Sequence, residues 1–289
     1  MRITPWHQTN WDARAACNFI GGGGGCGLLI FAALATTSSA EYRMAASIAL
    51  VLIAAGLCCV LAEIGRPLRA LNVFLHPQTS WMTREAMVAP FLFTAGAIAT
   101  WAGGGLFANV AAMLALIYLY CQARMLAAAK GIPAWREPAV IPLMIITGLT
   151  EGAGLTALLA TLSGTASQWL TGVLLATLIL RRIAWKMYSE ALNKKGAPKK
   201  SLAVLERFSG PYSNYGQSLP EMLIVAALFF PAEYVWLIPL AGAAAAFSGW
   251  ALKFTIVARA AYNQGFALPV LPVRGQGQPM PGVKPGWTK

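Results

Sequence analysis

The sequence predicts an all-α integral membrane fold, a bundle of about eight transmembrane helices with both termini cytoplasmic. Three observations predict it. Apolar stretches of membrane-spanning length recur from the N-terminal region to about residue 260. Charged residues make up only 11% of the 289 positions and mean hydropathy is +0.59, where a soluble domain carries about 25% charge. Finally, the basic residues fall almost entirely on one side of the alternating spans.

The apolar runs lie at 14–36, 43–63, 86–103, 106–127, 138–161, 167–187, 218–232 and 235–257. The seventh is the shortest. Glycine, proline and short polar residues separate them, at Gly103 to Gly105 and Ser163 to Ser167 among others. Residues 1–260 therefore read as one membrane domain and 261–289 as a Pro/Gly-rich cytoplasmic tail, of which Val273 to Lys289 reads as disordered when free and able to order along a partner. Met1 to Asp12 is polar and aromatic and has no pattern of a cleaved signal. With eight spans, every one of the 22 lysines and arginines except Arg43 falls on the side of both termini. That includes Arg181 and Arg182, placed at the start of a long loop after the sixth span. The positive-inside rule makes this face cytoplasmic. Topology thus accounts for the net charge of +12, and nucleic acid is not an expected partner.

The five cysteines, Cys17, Cys26, Cys58, Cys59 and Cys121, sit inside apolar runs without C-x-x-C or zinc spacing. His7 and His76, the two histidines, lie outside the runs. A haem held between helices by paired imidazoles is excluded, and no iron–sulfur cluster belongs to this chain. Gly21, Gly22, Gly23, Gly24 and Gly25 form a run inside the first span, read as a surface for close helix packing. An acid inside a membrane needs a partner or a proton. Glu151 lies mid-span between glycines and is a candidate for a proton path. Glu63 closes the second span and Glu85 opens the third, at one depth. Lys253 reads as a side chain that snorkels to the interface. The segment joining the second and third spans, which carries Arg66, Arg69, His76 and Trp81, fits the mouth of a cavity for an amphipathic small molecule.

Two stretches carry a family resemblance. Ala62-Glu63-Ile64-Gly65-Arg66-Pro67-Leu68-Arg69-Ala70-Leu71-Asn72, followed by Ser80-Trp81-Met82-Thr83-Arg84-Glu85, resembles the signature of the DmsC/NrfD-type membrane anchors. These are the quinone-reactive subunits of molybdenum–iron–sulfur oxidoreductases. Thr4 to Gly21 resembles a narrower branch, the membrane subunit of phenylacetyl-CoA:acceptor oxidoreductase. The resemblance implies a haem-free anchor that docks a four-cluster ferredoxin-like iron–sulfur subunit and a molybdopterin catalytic subunit. It also implies electron exchange with menaquinone or ubiquinone. Glu63 stands where the dimethyl sulfoxide reductase branch has a histidine, so quinone type and direction of electron flow stay open. On this reading Glu63 and Glu85 handle protons, and Arg66, Arg69 or His76 hydrogen-bonds a quinone oxygen. Two other readings remain at this point: a secondary transporter built around Glu151, and a purely structural anchor.

Overall fold

The computed structural model describes residues 3–64, 67–165, 167–230, 234–271, 275, 278 and 280–287. It is an all-α bundle of the multi-pass membrane type. Its elements are α1 (Ala13–Ala35), α2 (Ser39–Ile64), a 3-10 helix (Pro67–Leu75), α3 (Trp81–Ala102), α4 (Leu106–Ala127), the single turn α5 (Pro133–Arg136), α6 (Val140–Leu162) and α7 (Gln168–Lys195). Then come α8 (Lys199–Pro211), a π-helical turn (Tyr212–Ser218), α9 (Leu219–Phe229), α10 (Tyr234–Phe254) and a second π turn (Thr255–Arg259).

Six helices among the described residues are long and apolar enough to cross a membrane: Ala13–Ala35, Ser39–Glu63, Trp81–Ala102, Leu106–Ala127, Val140–Leu162 and Trp236–Arg259. The sequence predicts eight, and the difference falls on its sixth and seventh runs. Helix α7 is 28 residues long but carries Arg181, Arg182 and Lys186 within it. Helix α9 has 11 residues and continues without a break from α8 and the π turn, but α8 carries Lys199, Lys200, Glu206 and Arg207, so only the second half of this longer helical stretch is apolar.

Arg181 corrects the sequence reading directly. It does not open a cytoplasmic loop; it lies within α7 and is fully buried. Its guanidinium donates to the carbonyls of Ala245 at 2.8 Å and Gly216 at 2.7 Å and to Ser248 Oγ at 3.0 Å. Gly216 belongs to the first π turn. A π turn interrupts the regular i→i−4 ladder and turns a backbone carbonyl toward other donors, which here supplies an acceptor for a buried cation.

Helix α1 sits at the centre, packed against α2, α4, α6 and α10. Its glycines permit this. A β-carbon on Gly25 would stand 2.6 Å from the Ala49 carbonyl oxygen of α2, and one on Gly27 would overlap the backbone of Gly148 on α6. Without side chains the helices approach backbone to backbone, as small-residue membrane interfaces do. Buried alanines and leucines from α1 to α4 form one core, and α6, α7, α9 and α10 with Phe31 form another.

The described parts of the chain after residue 260 are tied down. Leu268–Leu271 pairs antiparallel with Met280–Val283. Beyond that hairpin Trp287 is buried, donates from Nε1 to the Gln264 carbonyl at 2.9 Å and bridges to Pro198. The segment before α1 is tied to the same region: His7 bridges to Tyr262, and Gln8 N–H donates to the Ala261 carbonyl at 3.0 Å.

Candidate functional site: a two-carboxylate cavity at the bundle end

A cavity of about 840 Å³ opens where the start of α1, the end of α2, the 3-10 helix and the start of α3 meet. That volume suits a drug-sized ligand. Its wall is mainly apolar, with Phe19, Leu57, Val60 and Phe93 among the lining residues. Glu63, Glu85, Asn10, Asn18 and Asn72 supply the polar groups.

Local chemistry explains how each wall is held. Asp12 caps α1, accepting from the Arg14 N–H at 2.7 Å, and also pairs with the Arg14 guanidinium at 2.9 Å. The Arg14 hydrogen bond holds the Asp12 carboxyl below its ordinary pKa. Arg14 reaches on to the Ala62 carbonyl at 3.0 Å, so the start of α1 is fastened beside Glu63. Ser80 caps α3 by accepting from the Thr83 N–H at 3.2 Å, and the Thr83 hydroxyl donates to the Val73 carbonyl of the 3-10 helix. Arg84 donates to the carbonyls of Pro77 and Gln78 and lies over the Trp81 ring at 4.1 Å. The motif between the second and third spans is therefore a tied turn that forms the cavity mouth.

Glu63 is half-buried at the end of α2, and Glu85 is buried in the second turn of α3. The cap of α3 is Ser80, and Glu85 faces the bundle. Gln122 of α4 donates from Nε2 to Glu85 Oε1 at 3.1 Å and to the Asn18 carbonyl at 3.1 Å. Asn18 and Tyr118 also stand beside the Glu85 carboxyl. Asn18 Oδ1 is buried without a hydrogen-bond partner among the described residues.

The other sequence candidates do not all join this site. His76 is exposed and does not line the cavity; its carbonyl closes the turn before α3 by accepting from Ser80 N–H at 3.0 Å. Arg66 lies outside the described residues, and only the backbone of Arg69 is described.

Glu151 is not at the cavity. It is fully buried and paired with Lys253, Nζ to Oε2 2.6 Å. Lys253 is 1% exposed, so it does not snorkel: the carboxylate across the bundle holds it inside. The glycine run separates the two acid sites. A β-carbon on Gly22 would collide with the Gln122 amide, and one on Gly23 with Lys253 Nζ. The run therefore makes room for polar side chains as well as for close helix contact.

Sequence reasoning missed Asn18, Gln122 and Tyr118. A signal existed: neutral amides inside apolar runs hydrogen-bond across membrane helices. No protein-family model matches the chain, and no curated protein matches it either.

Proposed function

We propose that the chain is a haem-free, quinone-reactive membrane anchor, with a quinone headgroup held in the cavity between Glu63 and Glu85. One observation carries this reading. A mainly apolar cavity of about 840 Å³ is lined by two carboxyl groups and by Asn18, whose buried Oδ1 lacks a partner among the described residues.

Reduction of a quinone to a quinol takes up two electrons and two protons, and oxidation returns them. The electrons come from, or go to, an iron–sulfur subunit docked at this end of the bundle. Two oxygens need two proton partners. A protonated Glu85 donates to a quinone oxygen, and as carboxylate it accepts from a quinol hydroxyl. Asn18 Oδ1 accepts from a quinol hydroxyl and so orients the ring. Glu63, half-buried, serves the other quinone oxygen, giving its proton on reduction and taking it back on oxidation, and re-equilibrates with water. The apolar wall accommodates the ring and the start of its isoprenoid chain.

In the same reading the chain crosses the membrane eight times with both termini cytoplasmic, in a bacterial inner membrane. The one-sided distribution of lysine and arginine and the pairing of His7 with Tyr262 support this arrangement. The partners are a four-cluster ferredoxin-like subunit and a molybdopterin subunit, and a cytoplasmic docking face suits a CoA thioester such as phenylacetyl-CoA. The motif resemblance and the cavity together support these assignments.

Purification from detergent-solubilised membranes tests the reading. Iron–sulfur and molybdenum signals are expected to co-purify, with turnover that depends on added quinone. Glu85→Gln should keep the assembled complex and its activity with soluble dyes, yet lose about 10²-fold in quinone-linked turnover, the low end for a general acid. Full quinone activity in that variant would reject Glu85 as the proton partner.

A further inference from the structure

A second cavity, of about 620 Å³, lies between α8, the π turn closing α10 and the segment before α1. Three basic side chains line it, His7, Arg207 and Arg259, and no carboxylate does. Each comes from a different stretch of chain. His7 is fixed by its bridge to Tyr262 and by Nε2, which donates to the Ala258 carbonyl at 2.6 Å. A carbonyl only accepts, so the Nε2 proton is committed and Nδ1 is left for another partner. Arg259 lies over the Phe254 ring at 5.2 Å. Thr255 and Arg259 bracket the π turn, and both line the cavity. Neither arginine makes an ion pair among the described residues.

We propose that this cavity binds the phosphate group of an acidic phospholipid. Two guanidinium groups without carboxylate partners match phosphate oxygens, which accept from several donors at once, and His7 Nδ1 can add a donor only as imidazolium. The height fits as well. Arg259 ends the apolar stretch Trp236–Arg259, so the cavity stands at headgroup depth, where basic pockets take anionic lipids. Val204, Phe208 and Pro211 provide an apolar wall that suits the glycerol and upper acyl carbons. A docked acidic protein surface would gain nothing from that wall. The proposal needs only a membrane-embedded chain and does not depend on the quinone site.

The test uses full-length protein reconstituted in phosphatidylcholine nanodiscs, with phosphatidylglycerol added in steps and bound lipid counted by native mass spectrometry. Wild type is expected to retain phosphatidylglycerol in preference to phosphatidylcholine. Each cation near the surface contributes a factor of about five in affinity, so Arg207→Gln/Arg259→Gln should lose about 25-fold. Arg207→Lys/Arg259→Lys should restore most of it and serves as the folding control. Glycerol 3-phosphate in solution forms the second arm. If it protects against thermal unfolding as well as the lipid does, phosphate recognition stands and the lipid source is overturned. Equal phosphatidylglycerol retention by wild type and the double glutamine variant overturns the site. So does a double variant that keeps its lipid but sheds a co-purifying protein subunit.

Discussion

The Glu151–Lys253 pair permits a quantitative test. The two charges are 2.6 Å apart, with side chains 0% and 2% exposed. At an effective dielectric constant of about 20 their attraction is roughly 6 kcal/mol, set against a desolvation cost of several kcal/mol per ion. The pair as a whole therefore contributes little, and removing one member is what hurts, by about 3–5 kcal/mol. The two single variants should differ. Arg181 also acts electrostatically on Glu151, so Lys253→Met leaves a carboxylate that still has a cation in range and can also take up a proton. Glu151→Gln leaves two buried cations with no carboxylate between them and should be the worse variant, losing about 3–5 kcal/mol. Glu151→Gln/Lys253→Met should recover most of the loss. Unfolding in mixed micelles of mild detergent and increasing dodecyl sulfate, followed by circular dichroism, measures all four proteins. A coupling energy within about 0.5 kcal/mol of zero would refute the pair as a coupled unit. A worse result for Lys253→Met would refute the role given to Arg181.

Topology and the C-terminal fold offer two more tests. Reporter fusions at Lys195 and after Tyr262 should both report cytoplasmic, and one at Phe230 should report export; opposite sides for the first two would reject the eight-crossing arrangement. Trp287→Ala removes a buried ring and its bond to Gln264. Cleavage by chymotrypsin after the exposed Phe266 should then speed up at least tenfold, while thermal unfolding of the bundle stays unchanged. An unaltered cleavage rate would show that the ring does not hold the tail.

Much of the helical layout can be read from the sequence because the bilayer imposes one length and one polarity on each crossing. The meeting of Glu63 and Glu85 is legible for the same reason: a short connection between consecutive spans forces their ends to one depth. Pairings across the bundle are not. Glu151 and Lys253 are 102 residues apart, and hydropathy carries no information about which helices become neighbours. Lys253 near the end of an apolar run looks like a snorkelling side chain until its partner is known. Arg181 is misplaced on similar grounds. An arginine at the edge of an apolar run reads as the end of a span, whereas here the π turn at Tyr212–Ser218 presents an acceptor that lets the charge stay inside. The tail misleads through composition. Proline and glycine suggest disorder, but Gln264 and Lys199 offer backbone partners to Trp287 and Gly286.

Two carboxyl groups flank one glycine-rich helix, and their partners differ in kind. Glu85 faces neutral groups, the Gln122 amide first among them; Glu151 faces an ammonium. Neutral donors accommodate a carboxyl that gains and loses a proton, whereas a salt-bridged carboxylate is committed to its charge. The proposed quinone chemistry therefore assigns proton handling to Glu85 and a structural role to Glu151. Adjacent residues on α1 separate the two assignments. A β-carbon at Gly22 displaces the Gln122 amide, and one at Gly23 displaces Lys253 Nζ. Each obstacle is the end of a flexible side chain, so both variants should fold, at a cost of about 1–3 kcal/mol for overpacking. Gly22→Ala should break the 3.1 Å contact to Glu85 and lower quinone-linked turnover more than dye-linked turnover. Gly23→Ala should weaken the 2.6 Å ion pair, lose more stability, and leave the ratio of the two activities unchanged. Assaying both activities and micellar unfolding on the same preparations distinguishes them. If Gly23→Ala shifts the activity ratio and Gly22→Ala does not, the assignment of the two carboxyl groups is reversed.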